Sequence, residues 1–413
     1  MATLRAVTAL PLSAHPATTR LRDDAPTGTG RSLAGYLLVP RPKDLVKAVV
    51  APLGFAVGTV AVGGVAAEQA GRAVLVWLAL ELLVYQARYQ WNDVRGFAAD
   101  QAHPDAAARG RLPGPLEKAR PHIAASLAVM ALRLGLTAAL AVAVPRVAGV
   151  LLAMTVGVFG AAVVYERLRS AATGRTSTVP VPLRPALLAL WVVAGAGYAV
   201  RGMTGLALAI DLTGRPALVA VAALAMWALG VVFVTCRWTL EAMRFARVED
   251  DRLAWRVRPD QAREHTLGLV RWLPGDASGV GDRGPCAWRA LQGRTPLLAP
   301  WNLALVIAGG SAAVAGTELV DVTGDVGGFG ALGAGALGAL AALAVALLPR
   351  RRRAVTLAGV LVLALLHVAL GGDGPLAAVL PWTVVLAAYG CFTRQCADEV
   401  GDTLRRLRPP QRA

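Results

Sequence analysis

Asn92, Gly96 and Asp100 follow one another at intervals of four residues, and Asp93 lies beside the first of them. Residues four apart in a helix share one face, so the amide and the carboxylate would lie two turns apart on the same side. Amide and carboxylate oxygens bind hard divalent cations such as Mg²⁺, and such a cation can in turn bind a diphosphate. The alternative is that these polar residues only cap a helix at the membrane surface.

A second acidic segment starts at Glu241. Glu241, Phe245 and Glu249 are predicted to share a helical face, and Asp250 and Asp251 come directly after them. Arginines flank this segment, so surface ion pairs are an alternative interpretation. Both acidic segments follow an even-numbered apolar segment, which would place them on the same side of a membrane. Two carboxylate sites that face each other across a bundle could bind two or three Mg²⁺ ions and one diphosphate.

The elements that would position these residues are membrane-spanning helices. Of the 413 residues, 56% are hydrophobic and only 16% are charged, whereas soluble domains are about 25% charged. This composition excludes a disordered chain, and a soluble nucleic-acid-binding protein is not expected because the basic residues interrupt long apolar stretches. The sequence predicts an all-α, polytopic transmembrane helical bundle of nine or ten spans. Ten apolar segments can cross a hydrocarbon core of about 30 Å, at 46–66, 73–91, 122–144, 147–165, 186–210, 216–238, 301–320, 327–348, 354–371 and 375–392.

The basic residues predict how this bundle is oriented. The formal net charge is +16, and with the N-terminus inside, 36 of the 42 lysines and arginines fall on one side. Cytoplasmic loops carry such an excess, so both termini and the acidic segments are predicted to face the cytoplasm from the inner (plasma) membrane. The expected regions are a disordered tail (1–35), a transmembrane domain (36–392) and a basic tail (393–413). The long loop 241–300 is expected to cap the site or to lie on the lipid surface.

Several elements together resemble the UbiA superfamily of intramembrane prenyl-diphosphate enzymes over residues 36–320. Arg41-Pro42 and Lys47, at the start of the first span, are similar to that family's Arg-Pro-x-x-x-x-Lys entry. Asn92-Asp93-x-x-Gly96-x-x-x-Asp100 stands where the family has its first aspartate motif. Tyr165 to Arg169 resembles its Tyr-x-x-x-Lys/Arg element, and residues 241–251 resemble a degraded second aspartate motif.

Gly96 is the departure from this pattern, because the family's first motif has an aspartate there. The spacing Asn-x-x-x-Gly/Ala-x-x-x-Asp is similar to that of UbiA-type terpene cyclases. This resemblance implies a Mg²⁺-dependent enzyme that ionises a C15 or C20 isoprenyl diphosphate (farnesyl or geranylgeranyl diphosphate) and cyclises the carbocation. The competing interpretation is a prenyltransferase or phosphoribosyltransferase that needs an aromatic or polyprenyl-phosphate second substrate. A transporter or lipid-binding membrane protein is the non-enzymatic alternative.

The resemblance also implies roles for individual residues. The catalytic residues are expected to be Asn92, Asp100, Glu241 and Glu249. The metal ligands are expected to be these four together with Asp93 and Asp250, and Asp251 is a further candidate. The residues expected to contact the diphosphate, or alternatively to anchor the protein at lipid headgroups, are Lys47, Arg88, Arg169 and Arg244.

Aromatic faces can stabilise a migrating positive charge, and the spans contain many aromatic residues. Those expected to contact the substrate are Tyr85, Tyr165, Tyr198 and Trp238. Further aromatic residues that either line the chamber or only pack in the bundle are Trp77, Tyr89, Trp191, Trp227 and Phe233. Nothing in the sequence indicates an oligomeric state.

Charged residues inside the predicted spans are candidates for function or for internal pairing. Glu81 and Arg88, seven residues apart in the second span, could pair with each other, and Arg133 and Arg201 could be structural partners of such carboxylates. His367 is expected to be a hydrogen-bonded histidine of the bundle. The four cysteines show neither a disulfide framework nor zinc-site spacing.

Overall fold

A computed structural model shows an all-α polytopic membrane protein. It describes residues 31–101, 106, 109–172, 179–242, 245–249, 252–255, 257, 263–272, 295–320 and 327–407, with the backbone alone at 42, 43, 45, 246–249, 252–255, 327, 328 and 394–407. The shorter helices are α1 (Leu33–Leu38), α2 (Pro42–Ala48), α3 (Val50–Ala61), α4 (Ala67–Leu78), α5 (Tyr85–Arg95), α6 (Phe97–Gln101), α9 (Pro185–Val193), α10 (Ala196–Ala209) and α12 (Glu264–Leu267). The longer helices are α7 (Ala119–Ala143), α8 (Pro145–Ala171), α11 (Pro216–Ala242), α13 (Pro300–Val320), α14 (Gly327–Leu347), α15 (Arg352–Ala369) and α16 (Pro375–Leu407).

Within the described ranges, nine helical segments are long and apolar enough to cross a membrane. They correspond to nine of the ten predicted spans, and their bounds lie within six residues of the predicted ones. Large apolar side chains on their outer faces, such as Leu132, Val142, Leu152 and Val156, are exposed. Apolar surface of this extent is expected where helices contact the lipid bilayer.

The first predicted span, 46–66, is shorter in the structure than expected. Its apolar helix covers Val46–Ala61, and the chain turns at Val49 between α2 and α3. Pro52 explains the break, because it has no N–H to donate to the carbonyl of Ala48 four residues earlier. The indole N–H of Trp77 donates to that carbonyl instead, at 2.8 Å.

Two further spans are interrupted. A π-helical turn, Ala79–Val84, joins α4 to α5 and contains Glu81; such turns frequently occur at functional sites. The fifth span is divided into α9 and α10 at Ala194 and Gly195. A Cβ atom at Gly195 would lie 2.2 Å from the carbonyl oxygen of Trp227, so only glycine permits α11 to approach this closely.

The segment after α11 differs from the prediction. The helix ends at Ala242, and the chain then forms an antiparallel hairpin of β1 (Ala246–Glu249) and β2 (Arg252–Trp255), in which Glu249 pairs with Arg252. The prediction that Glu241 and Glu249 share a helical face is therefore wrong, because side chains of a strand alternate rather than recur every four residues. Further along this loop, the structure describes α12 and a 3₁₀ turn, Gly268–Trp272, and residues 264–270 are buried. The helix α16 continues to Leu407, past the expected end of the last span.

Small residues allow the helices to pack at close range, as is typical of membrane bundles. A Cβ atom at Gly205 of α10 would lie 1.9 Å from the carbonyl oxygen of Ala51 in α3. A Cβ atom at Gly316 of α13 would lie 1.7 Å from the carbonyl oxygen of Ala378 in α16. These glycines set the distance between α3 and α10 and between α13 and α16.

We predict that Gly205→Ala destabilises the protein, because the added methyl group would force α3 away from α10. Overpacking of this kind costs about 1–3 kcal/mol, which thermal unfolding in detergent would register as a lower melting temperature. Gly149→Ala in α8 is the matched control, because a Cβ atom there meets nothing within 4 Å. An equal effect of the two substitutions would contradict the close contact of α3 with α10.

Candidate active site

Charged side chains from distant parts of the chain meet at one end of the bundle, in what we call the charge cluster. The carboxylates of the charge cluster are Asp44, Asp93, Asp100, Glu166 and Glu241, and its cations are Arg41, Lys47, Arg95, Arg109, Arg111, Arg169 and Arg263. They come from α2 and the residue before it, the end of α5, α6, the loop before α7, the ends of α8 and α11, and the residue before α12. The ends of these helices therefore lie on one side of the bundle.

Asp100 and Glu241, the leading residues of the two acidic segments, are brought together. Arg109 bridges them, with distances of 3.2 Å to Asp100 Oδ1 and 2.8 Å to Glu241 Oε1. Arg263 bridges the same two oxygens, at 2.7 Å and 3.8 Å. Asp100 and Glu241, which belong to different helices, therefore share two guanidinium groups as counter-ions. We call the space between the two carboxylates the shared cation position.

Asp93 has different cations as its closest partners. It is 1% exposed, it forms a short ion pair with Arg111, and Arg41 lies 3.7 Å from its other oxygen. Arg111 also approaches Asp100 Oδ2, at 3.8 Å, so this arginine links the two aspartates of the first motif.

Asn92 contacts a carboxylate that the sequence motifs did not predict to be part of the site. With its amide oriented so that both atoms have partners, Asn92 donates to Glu166 Oε1 at 2.5 Å and accepts from Arg111 at 2.9 Å. Arg169 donates to the other oxygen of Glu166, at 2.5 Å. The signal for Glu166 was its position three residues before Arg169 at the end of a span, where a buried carboxylate needs a cationic partner.

The entry element beside α2 forms its own group of charges. Asp44 accepts from Arg41 at 2.6 Å and from Lys47 at 3.1 Å. Burial alone would raise the pKa of Asp44, but Lys47 and Arg41 lower it well below the ordinary value. Asp44 is therefore ionised, and it holds the two cations of the entry motif in place.

Electrostatics keep the centre of the cluster charged. Burial would raise the pKa of Asp100, but the guanidinium groups of Arg111, Arg263 and Arg109 lower it. Burial lowers the pKa of Arg109 to about 10, although Glu241 opposes this effect. Arg111 is also buried, but Asp93 and Asp100 raise its pKa above the ordinary value.

Aromatic rings lie directly against these cations. Arg41, Lys47 and Arg88 surround the ring of Tyr89 at 5.2–5.4 Å from its centroid, and Arg88 also lies 5.7 Å from the ring of Tyr165. Of the charged groups in the part of the chain that the structure describes, no carboxylate forms an ion pair with Arg88.

The aromatic contacts continue from Tyr165 into the bundle. Tyr165 stacks on Trp238 with ring centroids 6.2 Å apart, and Trp238 contacts His265 at 4.7 Å. Tyr198 packs edge-on against Phe233 at 5.5 Å. Of the four aromatic residues expected to contact the substrate, Tyr85, Tyr198 and Trp238 are buried, on α5, α10 and α11, and Tyr165 on α8 is half-buried.

Three tryptophans of the spans have structural partners instead. Trp77, Trp191 and Trp227 donate their indole N–H groups to the backbone carbonyls of Ala48, His265 and Val192. These bonds satisfy carbonyls at helix ends and breaks, where intrahelical donors are missing.

Deeper in the bundle, Glu81 of the π-helical turn pairs with Arg201 of α10. The two N–H···O distances are 2.6 Å and 3.0 Å, and Arg201 is 2% exposed. The guanidinium also lies 3.2 Å from the ring centroid of Tyr85. Arg201 is thus the partner of Glu81, and the expected pairing of Glu81 with Arg88 is wrong.

Arg133 also differs from the expectation. It donates to the backbone carbonyl of Leu37 at 2.7 Å rather than to a carboxylate, because α1 lies beside α7 at this level. His367 is hydrogen-bonded to the carbonyl of Asp373 at 2.8 Å, as expected of a histidine of the bundle.

The predicted site is brought together only in part. The candidates that lie outside the described residues are Arg244, Asp250 and Asp251, and only the backbone of Glu249 is described, on β1. Among the described residues, no group of three or more histidine, cysteine, aspartate or glutamate side chains converges to hold a metal ion.

Asp100 and Glu241 are nevertheless the kind of carboxylate pair that could hold a Mg²⁺ ion together with a phosphate ligand. Enzymes commonly hold Mg²⁺ through one or two carboxylates, while waters and substrate phosphates complete the octahedron. The shared cation position between Asp100 and Glu241 has that composition. Gly96 lies close to this position, and a Cβ atom there would be tightly placed, at 3.3 Å from Asp100 Oδ2 and 3.7 Å from Arg169.

No protein-family model, no curated protein and no solved structure matches this chain.

We predict that the pair of Glu81 and Arg201 stabilises the fold only while both partners are present. Arg201→Met would leave Glu81 buried without a counter-ion and cost about 3–5 kcal/mol. The double variant Glu81→Gln/Arg201→Met should recover much of this loss in thermal unfolding, because neither residue is then charged. A double variant as unstable as Arg201→Met would contradict the pairing. Arg146→Met is the control, because its ion pair with Glu68 is exposed and contributes less than about 1 kcal/mol.

We also predict that His265 makes the fold sensitive to acid. Burial, and then Arg263 and Arg169, lower the pKa of His265 to about 3, so the folded protein keeps it neutral. Below about pH 6.5 the unfolded chain takes up a proton that the folded protein does not. Stability therefore falls by about 1.4 kcal/mol for each pH unit until the folded pKa is reached.

Thermal unfolding at pH 7.5 and pH 5.0 would test this dependence. The wild type should lose about 2 kcal/mol more than His265→Gln over this interval. Asp44 and Asp100, whose lowered pKa values also cost stability in acid, are present in both proteins, so their effect cancels. Equal losses in the two proteins would contradict the prediction.

Proposed function

We propose that this protein is a Mg²⁺-dependent integral membrane terpene cyclase that ionises a C15 or C20 isoprenyl diphosphate, cyclises the carbocation and releases diphosphate. The observation that carries the proposal is Arg88. It is a cation inside a membrane-spanning segment, it lies between the rings of Tyr89 and Tyr165, and no described carboxylate pairs with it. A charge in this environment needs an opposite charge nearby, and an anionic ligand at the mouth of the bundle would supply one.

The charge balance of the cluster supports a diphosphate as that ligand. The charge cluster contains seven cations and five carboxylates, and Arg88 adds another cation next to it. Arginine presents a planar fork of donors that matches phosphate oxygens. Lys47, Arg88 and Arg169 would contact the diphosphate and stabilise the negative charge that develops as the carbon–oxygen bond breaks.

Asp100 and Glu241 are the residues that would hold Mg²⁺, which would supply further charge neutralisation to the leaving diphosphate. Asn92 is hydrogen-bonded to Glu166 and Arg111. It would position these two residues beside the metal. Asp93 would keep Arg41 and Arg111 aligned.

The aromatic residues support cyclisation rather than simple binding. Tyr85, Tyr165, Tyr198 and Trp238 lie on the inner side of the bundle from the charge cluster, where their faces would stabilise a carbocation. Side chains packed this closely within a lipid-embedded bundle also exclude water, which would otherwise quench the cation.

Gly96 favours the cyclase over a prenyltransferase or phosphoribosyltransferase. An aspartate at this position would place a further carboxylate beside Asp100 and Arg169, as in the motif of the UbiA superfamily that the sequence resembles. With glycine there, fewer metal ligands are available, as in the terpene cyclase branch. The excess of basic residues on the side of the cluster favours the cytoplasmic face of the inner (plasma) membrane.

We predict that purified protein incubated with Mg²⁺ and farnesyl or geranylgeranyl diphosphate alone releases a cyclic hydrocarbon or alcohol, detectable by mass spectrometry. Arg88→Gln and Asp100→Asn should each lower the turnover number by about 100-fold or more, because each removes a group that stabilises the transition-state charge. Arg72→Gln is the control, because Arg72 pairs with exposed Glu68 at the opposite end of the bundle.

Three outcomes would overturn parts of this proposal. Product that forms only when an aromatic or polyprenyl-phosphate acceptor is added would identify a transferase. Absence of any turnover with either substrate would favour a transporter or lipid-binding protein. Full activity of Arg88→Gln would show that Arg88 does not bind the substrate.

A further inference from the structure

Two arginines occupy the cation position between Asp100 and Glu241, and neither belongs to a membrane span. Arg109 comes from the loop before α7 and Arg263 from the segment that leads into α12. Both contact the same pair of oxygens, Asp100 Oδ1 and Glu241 Oε1, at 2.7–3.8 Å. The chain therefore supplies its own cations at the position where a divalent ion would bind.

We propose that Arg263, together with Arg109, is an exchangeable occupant of this position. When a divalent cation binds with a diphosphate, the arginines leave the carboxylates and contact the phosphate oxygens. This inference rests on the proposed function for the nature of the ligand.

Charge balance at this largely buried site allows the exchange. Two guanidinium groups neutralise two carboxylates while no ligand is bound, so neither carboxylate is left without a counter-ion, which would be costly. A divalent cation takes over the same two negative charges, and the released arginines then neutralise the phosphate. Arginine suits both arrangements, because its forked donors bind carboxylates and phosphates equally in two-point contacts.

Arg263 also connects this position to the loop above the bundle. It directly precedes α12, whose residues Glu264–Leu267 are buried. His265 contacts the ring of Trp238, and its carbonyl accepts from the indole of Trp191 at 2.9 Å. Displacement of Arg263 by a ligand would therefore alter the docking of this segment against the two tryptophans.

Metal binding without turnover tests the exchange. Mn²⁺ replaces Mg²⁺ as a paramagnetic probe, and its binding to detergent-purified protein is measured by electron paramagnetic resonance, with and without inorganic pyrophosphate. Arg263→Gln removes the competing cation, while Arg263→Lys keeps the charge and serves as a second variant should the first fold poorly. The matched control is Arg271→Gln in the same segment, because among the described residues Arg271 donates to the carbonyls of Gly268 and Val181, at 3.2 Å and 2.5 Å, and pairs with no carboxylate.

Arg263→Gln is expected to change the affinities for the two ligands in opposite directions. Arg263→Gln should bind Mn²⁺ alone about fivefold more tightly than the wild type, since a competitor is gone. It should bind pyrophosphate in the presence of Mn²⁺ about fivefold more weakly, since a phosphate contact is gone. Arg263→Lys should lie close to the wild type in Mn²⁺ binding, and Arg271→Gln should match it in both measurements.

Unchanged or weaker Mn²⁺ binding in Arg263→Gln would overturn the exchange, as would unchanged pyrophosphate binding. These outcomes are separate from failure of the proposed function. A protein that releases no terpene product but shows the opposite-sign changes would retain an exchangeable metal–diphosphate site for another reaction. A protein that cyclises its substrate but shows no such changes would support the proposed function and contradict the exchange.

Discussion

Within the described residues, every buried aspartate, glutamate and arginine lies within 4 Å of an opposite charge, and the fold depends on these ion pairs. An unpaired charge in a low-dielectric interior costs far more than a helix contact contributes. Glu81 and Arg201 meet this requirement within the bundle by a two-point ion pair. At the end of the bundle, arginines from loops and helix ends meet the carboxylates Asp93, Asp100 and Glu166. The same arginines draw together helix ends that are far apart in the chain.

Three helix breaks surround this interior, and each lies next to residues of the candidate site. The turn at Val49 separates Lys47 from the rest of the first span, and the π-helical turn contains Glu81. The division at Gly195 precedes Tyr198 and Arg201. In a regular helix, the position of a residue in the chain fixes the face on which its side chain lies. A break rotates the residues that follow it onto a different face. Indole donors such as that of Trp77 then satisfy backbone carbonyls at the breaks.

The charge cluster combines two properties that are usually opposed. Each of its carboxylates is paired with at least one cation, yet it carries more cations than carboxylates and has Arg88 beside it. Under the proposed function, Lys47, Arg88 and Arg169 are already in place before a diphosphate binds, and only Arg109 and Arg263 change partners. The position of Asp100 and Glu241 on different helices means that a ligand held by both also fixes the distance between α6 and α11.

The sequence by itself determined the all-α membrane fold, because apolar segments of about 20 residues have few alternatives in a bilayer. It also determined that Asn92, Asp100 and Glu241 lie at one end of the bundle, because alternating spans return every second helix end to the same side. Only the tertiary structure decided which charges pair. Arg201, Glu166 and the loop arginines are remote in sequence from their partners, and no helical periodicity links residues on different helices. It likewise decided that α11 ends at Ala242 and that Glu249 lies on a strand, since that choice depends on pairing with a segment beyond the helix.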